Sequence, residues 1–366
     1  MKKLWIGFGV LFLLLALAVV VPCLKAGEAK VGGRYQVLTP IRNGNLTIFS
    51  VVAESTHDTG QFLTLDEGLR SGDVVVTEAG SAGPLVRPRP GLPAWNEHPR
   101  AGAQVNQLVL INNSKRPLLL LAGEIVTGGK QDRVIGKDRL VPAESDPVDL
   151  SVFCVEPGRW VARSDKFVAP MAMVQPSVRA KAMAEKDQHQ VWDQVAKARS
   201  STAQAVEVES GPGAVPLAES SSYAVLVQNR SVAKELDKVV APLQQEYQSA
   251  IRQLRDKHAV GVVVAVNGQL IWADVFASTN LLEKYWPKLV RSYAAETFSE
   301  PGKSLAVDVR AAQEFLDHLN GRREIVENEP GLYRHAEISG EGYKVFALTS
   351  LLPSTGFDLH LAKIAE

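Results

Sequence analysis

Apolar and polar residues alternate over short stretches in the first half of the chain, and turn-forming residues separate the stretches. The alternation is clearest over residues 33–54, where Asn43-Gly44 interrupts it at a position that favours a turn. Residues 108–112, 117–122 and 151–155 are more continuously apolar. Apolar runs of this length are typical of buried strands. The pattern predicts a mostly β N-terminal part.

Helical spacing dominates several later segments. Apolar residues recur every three or four positions between Val232 and Leu254, and Pro242 is expected to kink or restart that helix. Thr64 and Glu67 form a capping box at the start of a short helix, in which each side chain satisfies a free backbone amide. Further helices are predicted over residues 177–199, 280–298 and 308–320.

A β-hairpin is predicted in the second half of the chain. Two apolar runs, residues 260–266 and 269–276, flank Asn267-Gly268. Asn-Gly favours the positive backbone angles of a type I′ turn, which matches the twist of paired strands. Three short strands are expected to close the chain, at residues 323–326, 343–348 and 358–364.

These elements predict an α+β fold, with a mostly β N-terminal part joined to a C-terminal part that holds the hairpin and several helices. Regular strand–helix–strand spacing is lacking, which argues against a doubly wound parallel sheet. Residues 200–222 are rich in Ser, Gly and Pro and are predicted to link the parts at 33–200 and 223–366. The proline-rich segment 84–102 is expected to form a rigid surface loop.

The N-terminus predicts export. Lys2 and Lys3 precede an uncharged apolar stretch at residues 4–21, and small residues follow around Ala26. This order is typical of a secretory signal. Residues 1–26 are therefore interpreted as a signal peptide or, if they are not cleaved, as a single membrane anchor. The body of the chain is predicted to be periplasmic or secreted, and to meet a membrane only through an uncleaved N-terminal segment.

Charge and cysteine content narrow the function classes. The 40 basic and 40 acidic side chains give a formal net charge of zero, so the basic surface that nucleic acids require is not indicated. Only Cys23 and Cys154 are present, and cleavage of the signal leaves no partner for an intramolecular disulfide. Cys154 lies in an apolar run and is predicted to be a buried strand residue, not a nucleophile.

Two segments resemble known anion-binding loops, but each departs from the motif that it resembles. In the run from Gly123 to Lys130, Gly129 occupies the position of the phosphate-loop lysine. Four residues separate Cys154 from Arg159, whereas a cysteine-phosphatase loop has five between its cysteine and arginine. Pro157 also lacks a backbone N–H that could donate to an anion. The seven histidines are scattered without metal-ligand spacing. Neither a metal nor a cofactor is predicted, and no catalytic residue is assigned.

Charged and aromatic residues cluster at the ends of apolar strands. The candidate ligand-binding residues are Glu124, Gln131, Asp132, Arg133, Glu156, Arg159 and Trp160. Buried charges are costly unless they are paired, so these side chains could form a structural network. They could equally line a pocket in which the arginines hold an anionic ligand and Trp160 offers a stacking face.

The same segments carry a family resemblance. Gly123-Glu124 with Gln131-Asp132-Arg133, and Cys154-Val155-Glu156 with Gly158-Arg159-Trp160, resemble the domain family associated with ADP-ribosylglycohydrolases and rhodanese-phosphatases. The resemblance extends from about Gly44 to the C-terminus. It implies a role around ADP-ribose or nucleotide-derivative processing, with no catalytic residues to transfer. Export would separate this domain from cytoplasmic NAD pools.

Two functions follow as hypotheses. The first is an exported cell-envelope binding or interaction domain with a pocket for a nucleotide-like or ADP-ribose-like anion, whose partner is a small anionic ligand or an envelope protein. The alternative is a hydrolase acting on an ADP-ribose or phosphate derivative, with Glu124 or Glu156 as general base. The two hypotheses differ in geometry, because a catalytic carboxylate must face an open cleft whereas a structural one is paired.

Overall fold

The computed structural model describes residues 35–80, 103–254, 256–302 and 305–366. The predicted signal segment at 1–26 and the proline-rich loop at 84–102 lie outside the described residues. Among the helices that are described, none is long and apolar enough to cross a membrane. The architecture is mixed α+β, as the sequence predicts.

The strands and helices follow one another in a mixed order. The strands are β1 (Tyr35–Asn43), β2 (Leu46–Ala53), β3 (Leu63–Thr64), β4 (Val74–Glu78), β5 (Gln107–Asn112), β6 (Leu118–Leu120), β7 (Ile125–Val126), β8 (Arg133–Ile135), β9 (Arg139–Val141), β10 (Val148–Cys154), β11 (His258–Val266), β12 (Gln269–Phe276), β13 (Arg322–Glu329), β14 (Tyr333–Gly340), β15 (Tyr343–Ser350) and β16 (Asp358–Ala365). The helices are α1 (Leu65–Ser71), α2 (Pro176–Ala180), α3 (Gln188–Ser210), α4 (Tyr223–Gln228), α5 (Arg230–Arg252), α6 (Thr279–Ser299) and α7 (Val309–Asp317).

Both ends of the described chain lie in one antiparallel sheet of eight strands, in the order β1-β2-β11-β12-β16-β15-β14-β13. Strand β2 pairs with β11 along its whole length, from Leu46 opposite Val266 to Ala53 opposite His258. The boundary predicted between residues 33–200 and 223–366 therefore does not coincide with the sheets. Two smaller sheets, β4-β5-β10-β8-β7 and β3-β6-β9, are built from the intervening segment.

Two local predictions are confirmed in detail. Asn267 and Gly268 adopt φ angles of 53° and 81° between β11 and β12, as the hairpin requires. Thr64 and Glu67 form the capping box at α1, and Gly72 ends that helix with a φ of 73°. Both features depend on residues that are adjacent in sequence, so no distant contact is needed to produce them.

Other elements differ from the predictions. The helix does not restart at Pro242, which lies within one α5. The helix predicted at 177–199 is divided by a π-helical turn at Lys181–Glu185. Helix α3 runs to Ser210, because Ala203 and Val206 pack in the core, so the predicted linker at 200–222 begins in a helix.

Strand β14 was not predicted from the sequence. Its side chains Arg334, His335 and Glu337 interrupt the apolar pattern by which strands are recognised. Since β14 pairs with β13 and β15, the C-terminal part of the large sheet has four strands where three were expected.

Helix α6 connects the large sheet to the small sheets. Its residues Tyr285 and Leu289 share one apolar core with Trp272 of β12 and with Leu119 and Leu140 of the small sheets. The Tyr285 hydroxyl donates to the Leu119 carbonyl at 3.0 Å. The small sheets are therefore held against the large one, and the candidate residues lie on the small-sheet side.

Candidate functional site

The two candidate segments are joined by strand pairing. Strand β10 runs antiparallel to β8, with Cys154 opposite Arg133 and Phe153 opposite Val134. The loop before β8 and the loop after β10 therefore leave the same end of the sheet. The residues that precede Arg133 and those that follow Cys154 lie side by side, as the charge at the strand ends predicts.

A compact ion-pair network occupies this end of the sheet. Arg159 Nη2 lies 2.6 Å from Glu156 Oε2 and 3.5 Å from Asp132 Oδ1, and Arg163 Nη2 lies 3.0 Å from Glu156 Oε1. The Asp132 amide also donates to Glu156 Oε2 at 3.0 Å. Both carboxylates are buried, so the arginines compensate charge that would otherwise be costly.

The network also holds the glycine loop that precedes β8. Arg159 Nη1 donates to the Gly129 carbonyl at 2.8 Å, and the Gly128 amide donates to Asp132 Oδ1 at 3.1 Å. The second oxygen of Asp132 accepts from the Ser222 hydroxyl at 2.6 Å. Burial raises the pKa of Asp132, and the Ser222 hydrogen bond opposes that effect. Asp132, Glu156 and Arg159 thus have structural partners at their charged groups.

Glu124 does not join this network. Its Oε1 lies 2.5 Å from Lys288 Nζ of α6, and its Oε2 accepts from the Leu121 amide at 2.7 Å. Lys288 also pairs with Asp66 at the start of α1. Burial raises the pKa of Glu124, and Lys288 acts against that rise. Glu124 therefore connects α6 with the small sheets and does not converge with Glu156.

Arg133 is the least completely paired of the charged candidates, since two of its three guanidinium nitrogens lack a partner within the described chain whereas Arg159 lacks one only at Nε. Arg133 is 0% exposed, and its Nε and Nη1 have no hydrogen-bond partner among the described residues. Its Nη2 donates to the Gln104 carbonyl at 3.3 Å. Burial lowers the pKa of Arg133, and the carboxylate of Glu78 acts in the opposite direction. The Glu78 side chain also accepts from the Lys130 amide at 2.7 Å.

An exposed indole lies beside this guanidinium. Trp160 is 41% exposed, and its ring centre lies 5.8 Å from Arg133 Cζ and 5.0 Å from Lys130 Nζ. Gln131 Nε2 donates to the Glu156 carbonyl at 3.2 Å, and Gln131 Oε1 has no partner within the described part of the chain. We refer to Lys130, Arg133 and Trp160 as the tryptophan corner.

Cys154 is a free, buried cysteine at the end of β10, as predicted. Its backbone amide donates to Gln188 Oε1 at 2.8 Å. Burial raises the pKa of the Cys154 thiol. A protonated buried thiol is a poor nucleophile.

A second ionic cluster was missed from the sequence. His360 of β16 is fully buried between two carboxylates, with Nδ1 2.5 Å from Asp138 and Nε2 3.0 Å from Asp274. Asp274 also pairs with Arg179 Nη1 at 2.8 Å and accepts from the Tyr293 hydroxyl at 2.5 Å. We refer to these five residues as the His360 cluster. They come from the β8–β9 loop, α2, β12, α6 and β16.

Charge compensation within the His360 cluster is strong. Burial by itself would lower the pKa of His360, but Asp138 and Asp274 raise it to about 9. Burial would raise the pKa of Asp274, but Arg179 and His360 hold it well below its usual range. The only sequence signal for this cluster was the presence of single charged residues, such as Asp274, in otherwise apolar strands.

Metal ligation is not indicated by the side chains that the structure describes. Among residues 35–80, 103–254, 256–302 and 305–366, no group of three or more His, Cys, Asp or Glu side chains is placed to hold a metal ion.

A protein-family model, the ARG and Rhodanese-Phosphatase-superfamily-associated Protein domain (ARPP-1), matches residues 34–362. The chain belongs to this family, and the resemblance carried by the two candidate segments is confirmed. Neither a curated protein nor a solved structure matches the chain.

Replacement of Arg159 should destabilise the fold. The Arg159→Ala change leaves Asp132 and Glu156 buried without their shared cation, and we expect a loss of about 3–5 kcal/mol in the free energy of unfolding. Arg163→Ala is the matched control, because Arg163 contacts the same Glu156 but its side chain is 50% exposed. Urea unfolding should show a loss of about 1 kcal/mol or less for this control. Equal losses in the two variants would contradict the structural role of Arg159.

Protonation of His360 should make stability depend on pH. Its pKa is about 9 in the folded chain against 6.5 for the ordinary side chain, so the native state binds the extra proton between these values. This contribution is fully present below pH 6.5 and is lost as the pH rises through 9. We expect the free energy of unfolding to fall by on the order of 3 kcal/mol across that window.

Urea unfolding at intervals from pH 6 to pH 9 measures this effect. His258→Gln, at an exposed histidine of β11, should keep the decline. A His360 ring that loses its proton near pH 6.5 in NMR titration of the folded protein would contradict the assignment.

Proposed function

We propose that this member of the ARPP-1 family is an exported ligand-binding domain of the cell envelope, and that it takes a small nucleotide-like anion at the tryptophan corner. The observation that carries the proposal is the incompletely paired guanidinium of Arg133. A buried cation without full hydrogen bonding is unfavourable by itself, and an anion that reaches it removes part of that cost.

The chemistry of the corner indicates the ligand class. Arg133 and Lys130 supply positive charge, which suits a phosphate or carboxylate group. Trp160 offers an exposed aromatic surface beside that charge, on which a planar base can stack. A compound with an anionic group next to a heterocycle, such as a nucleotide or ADP-ribose, satisfies both features. Family membership favours the same class, since the domain is associated with ADP-ribosylglycohydrolases and rhodanese-phosphatases.

Binding is preferred to hydrolysis because the two carboxylates considered as general bases are engaged. Glu124 is held by Lys288 and the Leu121 amide, and Glu156 is held by Arg159, Arg163 and the Asp132 amide. A general base needs an oxygen within hydrogen-bonding reach of the proton that it removes. Binding at the tryptophan corner requires neither carboxylate to leave its partners.

Ligand binding is measured by thermal shift and by intrinsic tryptophan fluorescence, to which Trp160 contributes, with AMP and ADP-ribose as probes. A probe at 100 times its dissociation constant should stabilise the protein by about 2.7 kcal/mol. Stacking should also change the indole emission. Arg133→Gln is expected to remove both responses, and Trp160→Ala to weaken binding about tenfold by loss of the stacking surface.

Arg322→Gln is the matched control, because Arg322 is an exposed arginine whose partner Glu324 is also exposed. This control should bind as the wild type does. The proposal fails if neither probe shifts the wild type, or if Arg133→Gln and Trp160→Ala bind unchanged. Turnover of ADP-ribose that Glu156→Gln abolishes, while Arg133→Gln retains it, would favour the hydrolase instead.

Export is proposed from the N-terminal sequence, in which Lys2 and Lys3 precede the apolar residues 4–21. The expected product is either a mature chain that begins after Ala26 or a full-length chain in the membrane fraction. Cell fractionation followed by intact-mass measurement distinguishes them, and deletion of residues 2–26 should retain the protein in the cytoplasm. A wild-type protein recovered in the cytoplasm with Met1 or Lys2 as its first residue, and without membrane association, contradicts export.

A further inference from the structure

A cavity lies between the large sheet and the small sheets, on the β13–β15 side of the molecule. Its volume is about 200 Å³, and it shares no residue with the tryptophan corner. Its large-sheet wall is formed by neighbouring side chains of three strands, since Glu327 of β13 lies opposite His335 of β14, and Glu337 of β14 lies opposite Phe346 of β15. The opposite wall includes Lys137, which follows β8, and Lys186, which follows the π-helical turn.

His335 is the feature that distinguishes this cavity. It is 2% exposed, yet neither of its ring nitrogens has a hydrogen-bond partner among the residues that the structure describes. Buried imidazole nitrogens without partners are costly, because they lose their hydrogen bonds to water and gain none in return. The ring lines the cavity, so a molecule held there can supply what the protein does not.

The protonation of His335 decides what it can bind. Burial lowers the pKa of His335, although Asp138 and Glu337 act in the opposite direction. A neutral imidazole has one nitrogen that donates and one that accepts. A hydroxyl group both donates and accepts, so it can satisfy either nitrogen.

The charges around the cavity are already paired. Lys137 pairs with Glu327, and Lys186 lies 2.5 Å from Glu337. Two lysines and two glutamates leave no net charge for an ionic ligand, which would have to break an ion pair to enter. An uncharged hydroxylated compound can donate to the carboxylates and accept from the ammonium groups while both pairs remain in place. Phe346 and Met183 add apolar surface, which suits the carbon face of a sugar ring.

From this arrangement we propose that the cavity around His335 is a binding site for a small uncharged polyhydroxy compound, of the size of one sugar ring. The volume is below that of pockets for drug-sized ligands, which limits the occupant to a single ring or a short polyol. The site is independent of the tryptophan corner and of the anion proposed there.

The experiment titrates the full chain with glucose, N-acetylglucosamine and myo-inositol, and uses glucuronate as the charged counterpart of glucose. The melting temperature and the NMR signals of the His335 ring are followed. At least one neutral probe should give a saturable rise in melting temperature and move the His335 signals, whereas glucuronate should bind more weakly than glucose.

Two variants test the cavity itself. His335→Phe keeps an aromatic ring at this position but removes both ring nitrogens, and it should weaken binding by about tenfold or more. Ser151→Trp places a bulky side chain at an exposed residue of the cavity wall, leaves His335 unchanged, and should block entry. His258→Phe is the matched control at an exposed histidine and should bind as the wild type does.

Each contrary outcome overturns the proposal. No response of the wild type to any neutral probe means that His335 is satisfied by water alone. Equal binding by wild type, His335→Phe and Ser151→Trp places the compound elsewhere. Tighter binding of glucuronate than of glucose rejects the uncharged class. Because Arg133→Gln leaves this cavity untouched, a failure here is separate from a failure at the tryptophan corner.

Discussion

The ion pairs of protonated His360 with Asp138 and Asp274 are the interaction on which the arrangement of the three sheets depends. His360 and Asp274 lie on neighbouring strands of the large sheet, whereas Asp138 belongs to the loop between β8 and β9 of the small sheets. A neutral imidazole would leave two buried carboxylates with only Arg179 to compensate them. Loss of the positive charge on His360 would destabilise this buried site, so protonated His360 links the small sheets to the large one.

The turn at Ala122-Gly123, which precedes the candidate segments, is held by Asp138 and Arg179 of the His360 cluster. The Ala122 amide donates to Asp138 at 2.8 Å, and the side chain of Arg179 packs so closely against Gly123 that a Cβ there would lie 2.9 Å from Arg179 Cδ. The positive φ of 94° at Gly123 also favours glycine. Beyond this turn, Glu124 reaches Lys288 of α6. Buried ion pairs thus fix the position at which β7 starts, and the network of Asp132, Glu156 and Arg159 holds the neighbouring loops at the end of the sheet.

Glu124, Asp132, Glu156 and Arg159 have ion-pair partners, whereas the two groups on which ligand binding is proposed each have two nitrogens without a hydrogen-bond partner among the described residues. Arg133 and His335 meet this description, and they differ in chemistry. Arg133 carries charge beside an exposed indole, which favours an anion with an aromatic part. His335 is neutral between paired charges, which favours an uncharged hydroxylated compound. The two proposed sites share no residue, and neither includes Glu124 or Glu156, the two carboxylates considered as general bases.

The sequence by itself determined the features that depend on neighbouring residues. The turn at Asn267-Gly268, the capping box of Thr64 and Glu67, and the burial of Cys154 follow from backbone preferences and local apolar periodicity. The family was also evident from the segments around Arg133 and Arg159.

Tertiary structure alone decided the partners of the buried charges. Glu124 meets Lys288, which is 164 positions away, and His360 meets Asp138, which is 222 positions away. It also decided that β2 pairs with β11, so that a division drawn from composition does not follow the sheets. The physical reason is that local spacing records which side of an element is buried, whereas the choice of partner for a buried charge depends on elements that only the folded chain brings together.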